Sequence, residues 1–216
     1  MSITATNTGA GGGVLAPAGN HVARCYAMID LGTSPDDYQG QPRIVHKVQV
    51  KWELPNATHV FKEGESAKPF SVSKEYNLSM NEKANLRLDL QSWRGKPFTE
   101  EEAKSFDITK VLGAACMLNV IVKTSKSGKE YNEVTSITPI PKDPQGKPLF
   151  EVPPQVNPTF EFSFEQFDQA KLASLPDWIQ NKIKGSFEYK KLMSPDTAHA
   201  ATEPEILGPK SDDLPF

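Results

Sequence analysis

The stretch at residues 70–95, FSVSKEYNLSMNEKANLRLDLQSWRG, changes its period half-way along. Phe70, Val72, Tyr76 and Leu78 alternate, interrupted by Lys74, as on one face of a strand. From Leu86 the spacing becomes Leu86, Leu90, Trp93, one stripe of a helix that ends before Gly95. Ser79 and Glu82 stand at capping-box spacing and predict a helix over residues 82–94. Thr99 and Glu102 repeat that spacing, with Phe98 placed as a hydrophobic staple, and predict a second, shorter helix.

Working outward, HVARCYAMIDLGT (21–33) alternates. Ala23, Cys25, Ala27, Ile29 and Leu31 fall on one parity, and Arg24, Tyr26, Met28 and Asp30 on the other. SPDDYQGQP (34–42) reads as a turn-rich loop. In RIVHKVQVKWEL (43–54) Ile44, Val48, Val50, Trp52 and Leu54 share a parity opposite Arg43, Lys47, Gln49 and Lys51. On the C-terminal side, ACMLNVIVKT (115–124) and EYNEVTSITPI (130–140) are strands joined by the Gly-containing hairpin SKSGK. The order strand, strand, strand, helix, strand, strand predicts a mainly β fold: a five-stranded OB barrel with its helix between strands 3 and 4.

The flanks differ from this body. Residues 1–19 are rich in Gly, Ala and Thr and are expected to be disordered. The barrel domain is expected over residues 20–141, and a proline-stiffened linker with a helical arm over residues 142–192. TFEFSF (159–164) alternates and adds a strand or clips to the barrel. EQFDQAKLAS and LPDWIQNKIKG read as two short helices, whose Trp178, Ile179 and Ile183 need burial, either on the barrel or in a homo-oligomer contact. Residues 193–216 are expected to form a disordered acidic tail.

Residues 20–150 hold 18 Lys/Arg against 16 Asp/Glu, and residues 151–216 hold 6 against 11. A mildly basic body with an acidic tail suits a protein that touches polyanions. No apolar run is long enough to cross a membrane, and the N-terminus lacks the basic start and apolar middle of a signal peptide. A cytoplasmic location is therefore expected. Cys25 and Cys116 sit inside apolar runs and read as buried thiols. His21, His46, His59 and His199 show no ligand spacing with them, so neither metal nor cofactor is expected. Phosphate-loop, nucleophile-elbow and zinc-protease patterns are all missing, which argues against an enzyme.

The chemistry lies on the outward parity of the first two strands, around the last hairpin, and at Lys74, which interrupts the apolar parity of the third. Arg24, Tyr26, Arg43, Lys47 and Lys51 of the first two strands, Lys74 of the third, and Lys123, Lys126, Lys129 and Tyr131 around the last hairpin combine cations with aromatic rings. Cations neutralise phosphates, and rings stack on unpaired bases at about 1–3 kcal/mol per base. An OB barrel binds oligonucleotides on strands 2–3, between the loops joining strands 1–2 and 4–5. That is where these residues largely fall.

The chain ends SDDLPF. Phe216 and Leu214 suit an apolar pocket, and a carboxylate at Phe216 suits an arginine beside it. Asp212 and Asp213 suit a basic rim, and Pro215 lowers the ordering cost. This end resembles the acidic tip of bacterial single-stranded DNA-binding proteins, with Leu214 where isoleucine is common and two aspartates where three are frequent.

The body resembles phage-encoded single-stranded DNA-binding proteins through KEYNLSMNEKANLRLDLQSWRGKPFTEEE (74–102), LGAACMLNVIVKTSKSGKEYNEVTSITPIP (112–141) and LPDWIQNKIKGSFEYK (175–190). The resemblance implies cooperative coating of single-stranded DNA in viral replication or recombination. It also implies recruitment of replication, recombination and repair proteins through the tip. The competing expectations are an OB-fold adaptor that binds only proteins, with a tail mimicking the host tip, and an accessory subunit of a recombination enzyme.

Overall fold

The computed structural model describes residues 14–194. Its element order is β1 (Gly19–Tyr38), β2 (Gln41–His59), β3 (Lys68–Asn77), α1 (Asn85–Arg94), α2 (Glu100–Lys104), β4 (Ala115–Thr124), β5 (Glu130–Thr138), β6 (Phe160–Phe162), α3 (Gln169–Ser174), α4 (Asp177–Gly185) and α5 (Phe187–Met193). A 3₁₀ turn, Ile108–Val111, links α2 to β4. The strands form an antiparallel sheet in the order β3-β2-β1-β4-β5, and β6 pairs with β1 in parallel. No ladder joins β3 to β5 among the described residues, so the sheet is open where a closed barrel was expected.

The predicted alternation of β2 holds from Val48 to Leu54. Ile44, expected on the same buried parity, is 66% exposed because it lies on the projecting hairpin beyond the core. Val48, Val50, Trp52 and Leu54 are buried in a core with Phe70, Val72 and Tyr76 of β3 and Cys116, Leu118 and Val120 of β4. Leu86, Leu90 and Trp93 bring α1 onto this core, where Trp93 lies 6.0 Å from Trp52, centroid to centroid. The two thiols are buried as expected, and burial pushes Cys25 up to about 12.

The predicted alternation of β1 does not hold throughout. A bulge leaves Tyr26 without a partner between the pairs Cys25–Trp52 and Ala27–Lys51. One extra residue reverses parity. Ala23, Cys25 and Met28 therefore face the main core, although Met28 was expected outside. Ile29 and Leu31 turn to the opposite face and build a second core with Phe162, Leu172, Leu175, Ile179 and Ile183. The C-terminal arm thus packs on its own sheet.

Gly32, at φ +73°, allows that packing, because a Cβ there would lie 2.6 Å from Ser186 Cβ. Trp178 does not join the second core. It stays 46% exposed, with Lys182 Nζ 5.2 Å from its ring centroid.

Other expectations need correction. Ser79 caps no helix: its Oγ accepts from Asn81 N at 3.2 Å, a local turn that delays α1 to Asn85. The Thr99–Glu102 capping box does form. Residues 34–42, read as a loop, continue β1 and β2 into a hairpin. Part of the expected N-terminal disorder is ordered, since Ala16 is buried and exchanges two hydrogen bonds with Asn132 (2.8 and 2.9 Å). Phe187–Met193, past the two expected helices, adds a third helix, α5, capped by Ser186. Among the described residues, no helix is long and apolar enough to cross a membrane.

Candidate nucleic-acid interface

β3 pairs with β2 only from Lys47 onward, and β4 pairs with β1 only up to Arg24. The pairs from Thr33–His46 to Tyr38–Gln41 therefore project as a two-stranded arm. Its turn residues, Gln39 and Gly40, both have positive φ (55° and 78°), as a two-residue hairpin requires. Asp37 Oδ1 accepts from Gly40 N at 2.8 Å and fixes that turn.

On one face of the arm, Asp36 stands opposite Arg43. Its Oδ2 accepts from Arg43 Nη2 (2.7 Å) and Nε (3.0 Å), and its Oδ1 from Lys47 Nζ (3.1 Å). These bonds, Arg43 first and then Lys47, hold the Asp36 carboxyl below the usual range. Arg43 also lies 4.8 Å from the Tyr38 ring centroid, and Tyr38 is 56% exposed. These residues form one wall of a groove of about 560 Å³ whose other wall carries Asn77, Asn81 and Lys83.

Farther along β2, Lys51 Nζ lies 5.6 Å from the Tyr26 ring, and Tyr26 OH meets Ser71 Oγ at 2.7 Å. The bulge puts Tyr26 here, half-buried and tied across the sheet. Lys51 has no carboxylate partner within 4 Å among the described residues. At the other hairpin, Lys123 stands opposite Tyr131 and pairs with Glu133 at 2.6 Å, which raises its proton affinity. Tyr131, Lys126 and Lys129 are exposed.

Two expected cations are placed elsewhere. Arg24 donates to Pro153 O (2.6 Å) and Gly113 O (2.9 Å), so its guanidinium holds the linker. Glu53, its partner across the ladder, is buried and accepts from Val156 N, Asn157 N and Asn157 Nδ2 at 2.6–2.7 Å. Lys74 lies on the α1 side, bonded to Asp89 at 2.7 Å. The outward face of β1 and β2 is thus partly roofed by the linker and the C-terminal arm. Gln49, between Lys47 and Lys51, is buried, and Lys182 of α4 bonds Glu75 beside it. The parts left open are therefore separate, one at the projecting hairpin and one at Lys51 and Tyr26.

Tyr38 and Lys83 escaped the sequence reading, because 34–42 was read as a loop and Lys83 as part of a helix. The Gln39-Gly40 turn between Tyr38 and Gln41 was the available signal. The tip residues Asp212–Phe216 lie outside the described residues. No group of three His, Cys, Asp or Glu among the described residues is placed to hold a metal. No protein-family model, curated protein or solved structure matches the chain.

Proposed function

We propose that this chain is a non-catalytic single-stranded DNA-binding protein, with the strand lying along β2 and β3 between the projecting hairpin and the β4–β5 hairpin. The observation that carries the reading is the groove in which exposed Tyr38, Arg43 and Lys83 meet the partly buried Lys47: cations for phosphates beside a ring for a base. We further propose that the sheet is an OB barrel. In support, the order β3-β2-β1-β4-β5 is that of such a barrel cut between its third and fifth strands, and those two strands approach within 8 Å between Cα atoms. In this reading the tip residues 212–216 recruit replication, recombination or repair proteins in the cytoplasm of the cell that copies the DNA.

Titration of a fluorescent oligothymidine against a duplex of equal length tests the binding. Tighter binding of the single strand is expected, with log K falling against log salt at about −0.7 per phosphate contacted. Equal affinity for the two, or none at low salt, sinks it and favours the adaptor that binds only proteins.

A further inference from the structure

We propose that Arg43 and Lys47 form a phosphate subsite that the Asp36 carboxylate fills in the free protein and yields to a phosphodiester of the bound strand. The assignment rests on the single-strand reading above and names what holds that site closed.

One carboxylate here takes hydrogen bonds from two cations, two of them from a single guanidinium fork. Such a fork fits carboxylate and phosphate oxygens alike, and both ligands bring one negative charge. The contact is reachable, with side-chain exposures of 22% for Asp36, 38% for Arg43 and 28% for Lys47. The ladder fixes all three backbones: Asp36 is opposite Arg43, and Lys47 is opposite Gly32 on the same face. Side-chain rotation alone therefore moves the carboxylate away.

Tyr38 is the next side chain on that face, already touched by Arg43 on one side of its ring. A nucleotide whose phosphate replaces the carboxylate brings its base beside that ring. Asp36 then acts as an internal competitor. It keeps two cations from binding stray anions and lowers the affinity for the strand. Once displaced, it gathers a cation from solution and cancels part of the counterion release that drives binding.

The test compares Asp36→Asn with Asp37→Asn in the full chain. Both remove one charge from the hairpin, but Asp37 caps Gly40 N and is bonded to neither cation. Asp36→Asn is expected to bind oligothymidine about two- to fivefold tighter at low salt, with a salt slope steeper by up to about 0.7. Asp37→Asn should show less of both. Equal effects, or weaker binding by Asp36→Asn, overturn the assignment.

A second arm uses tripolyphosphate and follows the Arg43 Nε–H resonance. It should respond at lower ligand concentration in Asp36→Asn than in the parent, and silence in both also overturns the subsite. If neither protein binds oligothymidine while the resonance responds, the single-strand reading falls and the phosphate subsite stands.

Discussion

The two faces of β2 have opposite chemistry and are covered to different extents: Lys47 and Lys51 stay partly exposed on the polar face, while every side chain from Val48 to Leu54 on the apolar face is buried. On one, Val48, Val50, Trp52 and Leu54 are buried among apolar neighbours. On the other, Lys47, Gln49, Lys51 and Glu53 alternate with them, yet Gln49 and Glu53 are only 2% and 0% exposed. The first face is covered because apolar area leaves water favourably. The second is covered in two ways. At Glu53 the linker brings amides that need an acceptor. At Gln49 the cover comes with the apolar arm packed on neighbouring Ile29, leaving the Gln49 Oε1 without a partner. A polar parity therefore marks a face but says nothing of what lies over it.

The comparison can be broken by substitution, starting on the apolar face. Trp52→Ala should cost about 3–5 kcal/mol, because the cavity opens between sheet and α1; the urea midpoint reads it. In the second core, Ile183→Ala should cost about 2–4 kcal/mol. It should speed hydrogen exchange across α3–α5 while β4 and β5 keep their protection. Uniform loss of protection would mean that arm and sheet unfold as one unit.

On the polar face, Glu53→Ala should cost about 2–3 kcal/mol, since it strands two linker amides, and should expose residues 153–157 to protease. Lys51→Ala, two residues earlier, should change stability by less than about 0.5 kcal/mol while flattening the salt slope of oligothymidine binding by about 0.7. Equal stability losses for Glu53→Ala and Lys51→Ala would erase the distinction between the roofed and open parts of this face.

The smallest effect concerns pH. His46 Nε2 meets Asp30 Oδ1 at 2.6 Å, and Glu188 of the arm adds a second negative charge nearby. The Asp30 bond, against some desolvation, raises His46 above its ordinary 6.5. The stabilisation is therefore complete below pH 6.5 and is lost as pH rises through the raised folded value. Glu188 feels burial, but Thr33's hydroxyl and amide and His46 together hold it low, so it stays ionised across that window. Urea midpoints of the parent should fall between pH 6 and 8.5 relative to those of His46→Gln. Parallel curves would remove His46 from the contact.

Much of the fold was legible because its signals are local. The strand parity of β2, the stripe Leu86–Leu90–Trp93 and the Thr99–Glu102 box each depend on residues within a turn or two of one another. The site was legible as residue types, and only in part as a place. Arg43 and Lys47 meet as expected of one face, and Lys51 meets Tyr26. Arg24 is engaged by the linker and Lys74 by Asp89, through contacts with residues 129 and 15 positions away.

By itself, then, the sequence determined a β-rich body with a helix after the third strand, a core parity for β2 from Val48 to Leu54, and buried cysteines. The tertiary structure decided where β1 changes face, because a bulge at Tyr26 is a matter of ladder register that no residue type announces. It also decided that residues 34–42 pair with each other, and that the arm covers Ile29 and Leu31 rather than leaving them in the first core. Alternation fixes which side chains share a face. Only the approach of distant chain decides which of those faces water still reaches.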